Sequence, residues 1–229
     1  MFFEIARAIK EIQPSYVLLE NVKGLFSHDG GRTFGTIIQT LDELGFFTEW
    51  GLFNSKYWGV PQNRERVYIL ATRKDKFKEP LLFDLVKQQT EVTTRLIDVL
   101  EDEVDEKYYL SEEKTRKLTL DHDLSGKLNF YNYNETDKVY SVNKVGPTLN
   151  TMQGGNRQPK IAVLGNTSAT GDIRIRKLTE KECWRLQGFT DEQFYKAKDS
   201  GVSNSQLYKQ SGNSVTVPVV DAIVKQLKE

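Results

Sequence analysis

Apolar residues at Phe2, Ile5, Ala6, Ile9 and Ile12 recur every three or four positions and stop before Pro14, a pattern that predicts an amphipathic helix. Tyr16-Val17-Leu18-Leu19 follows without a polar break and ends at Glu20-Asn21, as a strand buried on both faces would. A second helix is predicted from Thr33 to Leu44, with Gly45 as its stop. Phe46 to Phe53 and Val67 to Ala71 read as two further strands, divided by the loop Gly59-Val60-Pro61-Gln62. Helix, strand, helix, strand, strand in this order predicts a wound α/β sheet.

From about Pro80 the periodicity weakens. Residues from roughly Ser111 to Thr170 mix Asn, Tyr, Gly and Thr with short β-type runs such as Lys138-Val139-Tyr140-Ser141-Val142, and the segment from Gly154 to Pro159 has the composition of a turn or loop. A small, irregular, β-rich region is predicted there. The last block begins at Thr179, whose hydroxyl can cap a helix while Glu182 reaches back from three residues on. It closes with an amphipathic helix from Val215 to Leu227, in which Pro218 is tolerable only in the first turn.

Composition narrows the setting. With 38% hydrophobic and 28% charged residues, the 229-residue chain has an ordinary soluble composition and length enough to bury a core. Its apolar runs fall short of a membrane span, and the amino terminus lacks a basic-then-apolar signal pattern. A single cysteine, Cys183, rules out an internal disulfide and suits a reducing cytoplasm. Formal net charge is zero, so any nucleic-acid binding must come from local clustering. Arg64, Arg66, Arg73, Lys74 and Lys76 form one basic cluster; Arg174, Arg176, Lys177, Lys181 and Arg185 form another. The acidic run between Asp98 and Glu106 reads as a solvated face.

Four segments carry candidate chemistry. Glu20-Asn21-Val22 directly follows the apolar strand, where ligands of wound sheets collect. A carboxyl group there, against a low-dielectric wall, would have a raised pKa and serve as an acid near neutrality; the position also suits a glutamate that merely caps the next helix. Gln62, Arg64 and Arg66 alternate at the entrance to the strand Val67-Tyr68-Ile69-Leu70, where they could converge on one ligand or form a solvated edge paired with Glu65. Arg176-Lys177-Leu178-Thr179 through Arg185-Leu186-Gln187-Gly188-Phe189 joins a basic entry, a capped helix and a glycine stop. Gly212-Asn213-Ser214-Val215 opens the last helix, where free backbone N–H groups attract polar or anionic groups. Cys183, beside Trp184, reads as a buried structural thiol, and His28 and His122 as surface residues without metal-ligand spacing.

In this order and spacing, with a long variable stretch before the third, these segments resemble the later motifs of the DNA (cytosine-5)-methyltransferases. The resemblance covers nearly the whole chain, most loosely between about Pro80 and Val145. It implies part of a doubly wound S-adenosylmethionine-dependent methyltransferase sheet plus a small irregular β-rich target-recognition domain. Residues 1–80 would belong to the catalytic α/β domain and 81–175 to target recognition, while 176–229 would brace the recognition domain and return to the catalytic one. By the same resemblance Glu20 would contact N3 of a flipped cytosine, Arg66 its O2, and Arg64 and Gln62 the pocket or the nearby DNA backbone. Asn21 would orient the loop that bears the nucleophile. Asn213, Ser214 and Val215 would lie against S-adenosylmethionine. Thr148-Leu149 matches a Thr-Leu pair that the family uses near the DNA backbone, and Gln153, Asn156 and Arg157 have donors suited to base edges in double-stranded DNA.

That family attacks C6 of the base with the cysteine of a Pro-Cys-Gln loop and cradles the cofactor with a Phe-x-Gly-x-Gly loop; neither occurs in this sequence. The expectation is that both precede Met1, and that the chain alone is inactive, with an incomplete cofactor pocket. It would then self-associate or require an amino-terminal half supplied in trans, as a fragment or as one subunit of a split enzyme of restriction-modification type. A non-catalytic, sequence-specific DNA-binding module is the alternative, and a transfer-RNA-methylating relative a third reading.

Overall fold

The computed structural model describes residues 2–152, 156–164 and 172–227, which divide into two compact units. The first comprises Met1–Asn54, Glu65–Thr90 and Val219–Glu229. In it α1 (Phe2–Ile12) leads to β1 (Tyr16–Val22), α2 (Arg32–Glu43), β2 (Phe46–Asn54), β3 (Glu65–Arg73) and α3 (Leu82–Lys87). The strands lie in the order β1-β3-β2, with β3 antiparallel to both neighbours. β1 and β2 therefore run parallel, and α2 is the crossover that parallel strands require. That β–α–β turn is the wound element the sequence predicts. The difference is β3, which enters antiparallel between the two strands instead of extending a parallel run.

Side-chain alternation assigns the two faces of this sheet. Val67, Ile69 and Ala71 of β3, with Phe46 of β2, form one buried core with Ile9 of α1 and Ile37 and Leu41 of α2. Gly45, at φ 92, lets the chain reverse from α2 into β2 at a conformation other residues resist. One expectation needs correcting: Tyr16 to Leu19 is half-buried at every position, not buried on both faces. β1 stands at the edge, and among the described residues its second long side has no strand partner.

The second unit comprises Ser55–Arg64 and Glu91–Pro218. Two one-turn helices, α4 (Glu112–Thr115) and α5 (Asn134–Asp137), accompany a five-stranded sheet. Its strands, in spatial order, are β4 (Thr119–Leu120), β5 (Gly126–Lys127), β6 (Lys138–Ser141), β7 (Lys160–Leu164) and β8 (Ile173–Lys177). β6 and β7 are parallel and the other pairs antiparallel. The chain continues through α6 (Glu180–Arg185), α7 (Asp191–Asp199), α8 (Asn204–Asn213) and α9 (Val217–Val224). Leu96, Leu149, Ile161, Leu178, Cys183 and Leu186 share a core that joins the sheet to α6. The predicted cap is present: Thr179 Oγ1 accepts from Glu182 N at 3.1 Å, and Glu182 Oε2 accepts from Thr179 N at 2.8 Å. α9 starts two residues later than the pattern suggests, at Val217, with Pro218 in its first turn.

Candidate functional site

Strand register places Glu20 and Arg66 on one face of the first sheet. Arg66 lies opposite Val22, and Glu20, two residues back along β1, projects on the same side as Val22. The Arg66 Nε sits 2.9 Å from Glu20 Oε1, with both side chains mostly but not wholly covered. Arg66 Nη1 donates to the Glu65 carbonyl at 2.7 Å, which fixes the plane of the guanidinium. Tyr68, buried and directly opposite Glu20 in register, stands edge-on to Phe53 at 5.5 Å. A carboxyl group and a planar guanidinium held side by side can grip one edge of a flat heterocycle that offers a donor beside an acceptor. Asn21 is exposed at the end of β1, and its Oδ1 accepts from Val22 N at 2.8 Å, a local turn contact.

Gln62 and Arg64 take a different place from the one the alternating pattern suggests. Both are buried in the second unit, away from any solvated strand edge. Gln62 donates through Nε2 to Leu186 O at 2.8 Å, and its Oε1 accepts from Leu149 N at 3.0 Å. Arg64 donates to the carbonyls of Leu149 at 3.1 Å, Gly212 at 3.3 Å and Ser214 at 2.9 Å. The two side chains thus pin three segments far apart in sequence. Leu149 likewise lies in the core at 2% exposure, with its side chain turned from the surface. Thr148 is the accessible member of that pair, with its hydroxyl donating to Asn63 O at 2.5 Å.

Gly212-Asn213-Ser214-Val215 closes α8 instead of opening α9. A Cβ at Gly212 would lie 2.0 Å from Asn150 O, so only glycine permits this approach. Asn213, which ends α8, and Val215, just beyond it, are exposed, and Arg64 fixes the backbone there through the Gly212 and Ser214 carbonyls. Gly188 has a similar reason: at φ +84, its Cβ would meet the Pro218 ring at 2.4 Å. Arg176 and Glu182, both buried, form a two-pronged pair at 2.8 and 2.7 Å. Arg185 clasps Asp191 in the same way at 2.7 Å on each prong. The motif from Arg176 to Phe189 is therefore a brace for the second unit.

Cys183 is fully buried, and burial, followed by the nearby Glu182 and Glu180 charges, pushes its thiol well up. Such burial suits a structural thiol. Arg157 is exposed, while Gln153 lies outside the described residues. Lys177, already part of the second basic cluster, and Lys160, which no motif marked, face each other across β7 and β8. Only the strand register brings them together.

A family model described as C-5 cytosine-specific DNA methylase matches residues 1–229. The chain belongs to that family. An orphan methyltransferase of Bacillus phage SPbeta, M.SPBetaI, is 36% identical over 304 residues, covering 99% of this chain and 69% of the phage protein. That alignment is longer than this chain, so the phage protein carries residues within the matched span that this methylase chain lacks. The type II methyltransferase M.SsoII of Shigella sonnei is 38% identical over 232 residues, 99% of this chain and 56% of that protein. The crystal structure of the S. pombe Dnmt2 methyltransferase shares the mixed α/β fold, with a TM-score of 0.70 at 20% identity over 97% of this chain and 70% of that one. The methylase chain thus corresponds to part of each of these proteins. Among its described residues no helix is long and apolar enough to cross a membrane.

Proposed function

We propose that this chain is the base-holding and DNA-reading part of a cytosine-5 DNA methyltransferase, and that the attacking thiol is supplied by residues outside these 229. The Glu20–Arg66 pair carries the proposal. Cytosine protonated at N3 offers a donor beside the O2 acceptor, and a carboxylate next to a guanidinium matches that edge. Glu20 would bond N3 and stabilise its protonated form while C6 is attacked, and Arg66 would hold O2. Asn21 would steer the loop that carries the nucleophile. Gln62 and Arg64 would serve within the second unit, by fixing the backbone of Leu149 and, through Arg64, of the Gly212–Ser214 turn.

The same turn suits S-adenosylmethionine, the family's methyl donor: Asn213, Ser214 and Val215 are displayed on a backbone that Arg64 immobilises and that Gly212 allows to pack closely. When bound, the cofactor supplies the methyl group, and these residues would orient it. The segment 81–175 would read double-stranded DNA, with Thr148 near the backbone, Arg157 and Gln153 toward base edges, and 176–229 bracing it. A cytoplasmic setting fits such an activity.

Covalent attack needs a thiolate. The chain's one cysteine is sealed in a core, so the chain alone should transfer no methyl group. Mixed with a polypeptide bearing a Pro-Cys-Gln loop and the glycine-rich cofactor loop, it should transfer labelled methyl groups to duplex DNA. Glu20→Gln should lower that transfer by about 100-fold or more while leaving duplex binding in place. Sequence-dependent duplex binding without complementation by any such partner would favour the non-catalytic module instead.

A further inference from the structure

The geometry points to Lys160 and Lys177 as a two-lysine clamp that fixes the backbone of Asn156–Gln158, holds Arg157 at the mouth of the adjoining cavity, and so sets selection for a guanine in the recognised duplex. The inference rests on the reading that the second unit contacts DNA. Lys160 opens β7 at 1% exposure, a position that normally rejects a cation. Its Nζ donates to Asn156 O at 2.6 Å and to Gln158 O at 3.2 Å, bracketing Arg157 from both sides. Lys177, its direct partner on β8, donates to Asn156 Oδ1 at 3.1 Å. Asn156 is therefore held by its carbonyl and its side chain together, at φ 59, a left-handed conformation costly to keep without such contacts.

Two cations placed opposite each other repel, and burial adds to the cost. The groups facing Lys160 are Lys177 on β8, Lys114 on α4, Asp137 before β6 and the Tyr131 ring 5.3 Å from its Nζ. Asp137 is the lone carboxylate in this set, and its two oxygens already accept from the backbone N–H groups of Asn129, Phe130 and Tyr131. Nothing in this arrangement is an ordinary salt bridge; its product is a fixed loop backbone. Beside that loop lies a cavity of about 240 Å³, lined by Arg157, Tyr133, Tyr140, Thr148, Asn150 and Glu135, whose carboxylate is paired with Lys138 at 2.7 Å. Aromatic walls with one exposed guanidinium suit a base edge, and the acceptor pair of guanine, O6 and N7, is what an arginine fork matches best. Lys160 and Lys177 are positioning residues in this scheme, and Arg157 is the reader.

Two assays on the full chain separate the clamp from the DNA reading. Trypsin cuts after Arg157 only when that backbone is released from the fold. Lys160→Met and Lys177→Met should each raise cleavage at Arg157 by about tenfold or more, with cleavage after exposed Arg7 unchanged. Lys177→Met removes a half-exposed contact and keeps the test valid should Lys160→Met fold poorly. Selection from a randomised duplex pool should yield one guanine position with the wild-type chain; Arg157→Ala should lose it and Lys177→Met should weaken it. Unchanged cleavage at Arg157 in both lysine variants would overturn the clamp. A wild-type chain that selects no duplex would overturn the DNA reading, while the cleavage result would still decide the clamp. Guanine selection that survives Arg157→Ala would overturn the assignment of the reader.

Discussion

Arg66 and Arg64 stand two positions apart and do unlike work, so their substitutions should fail differently. Arg66→Lys keeps the charge beside Glu20 but loses the fork, and in the complemented enzyme methyl transfer should fall with little change in thermal stability. Arg64→Met leaves three backbone carbonyls without their donor, and a loss of about 3 kcal/mol in the second unit is expected from chemical denaturation. Lys160 gives a pH signature. Burial, then Lys177, lowers its pKa to about 8 from an ordinary 10.5, so the unfolded chain holds a proton there that the folded chain has released. Stability should therefore climb as pH rises from about 8 toward 10.5, by at most about 1.4 kcal/mol per unit, and Lys160→Met should flatten that climb. Lys177, whose pKa is also lowered by burial and by Lys114, adds a smaller slope of the same sign that this variant leaves in place. Of these residues the sequence motifs signalled Glu20, Arg64 and Arg66, because their spacing is local. They could not distinguish an arginine paired with Glu20 from a carbonyl-pinning one, since that depends on partners as distant as Ser214.

At the scale of elements, the legible features were those written in a few consecutive residues. The Thr179–Glu182 cap, the Gly45 stop, and α1, α2 and β2 formed where the pattern placed them, within a residue or two. Thr179→Ala should cost about 1–2 kcal/mol in thermal unfolding, because its hydroxyl caps α6 and also meets Glu101 Oε2. The insertion of β3 between β1 and β2, and the β7–β8 register that brings Lys160 to Lys177, depend on pairing across long stretches of chain, which periodicity does not encode. Gly212 shows the same limit. The motif marked it as a helix start, whereas its reason is a backbone 2.0 Å from where a Cβ would be. Gly212→Ala should displace the Asn213–Val215 turn and weaken cofactor binding more than it weakens duplex binding.

For the whole molecule, three observations support the proposal of a shared enzyme. The chain matches 69% of the phage relative's length, β1 has an open edge among the described residues, and the exposed apolar side chains include Phe3 at 69% and Ile12 at 73%. Open edges and apolar patches of this kind invite a partner strand or helix. The sealed Cys183 fits the same proposal, since the chain's one thiol lies in a core while the Glu20–Arg66 pair proposed to hold a cytosine is only partly covered. The direct test is transfer of labelled methyl groups from S-adenosylmethionine to duplex DNA by the chain alone, by the chain with a polypeptide carrying the Pro-Cys-Gln and glycine-rich loops, and by Glu20→Gln with that same partner. The account requires no transfer in the first case, transfer in the second and a loss of about 100-fold in the third. Methylation by the chain alone, or complementation indifferent to Glu20, would contradict it.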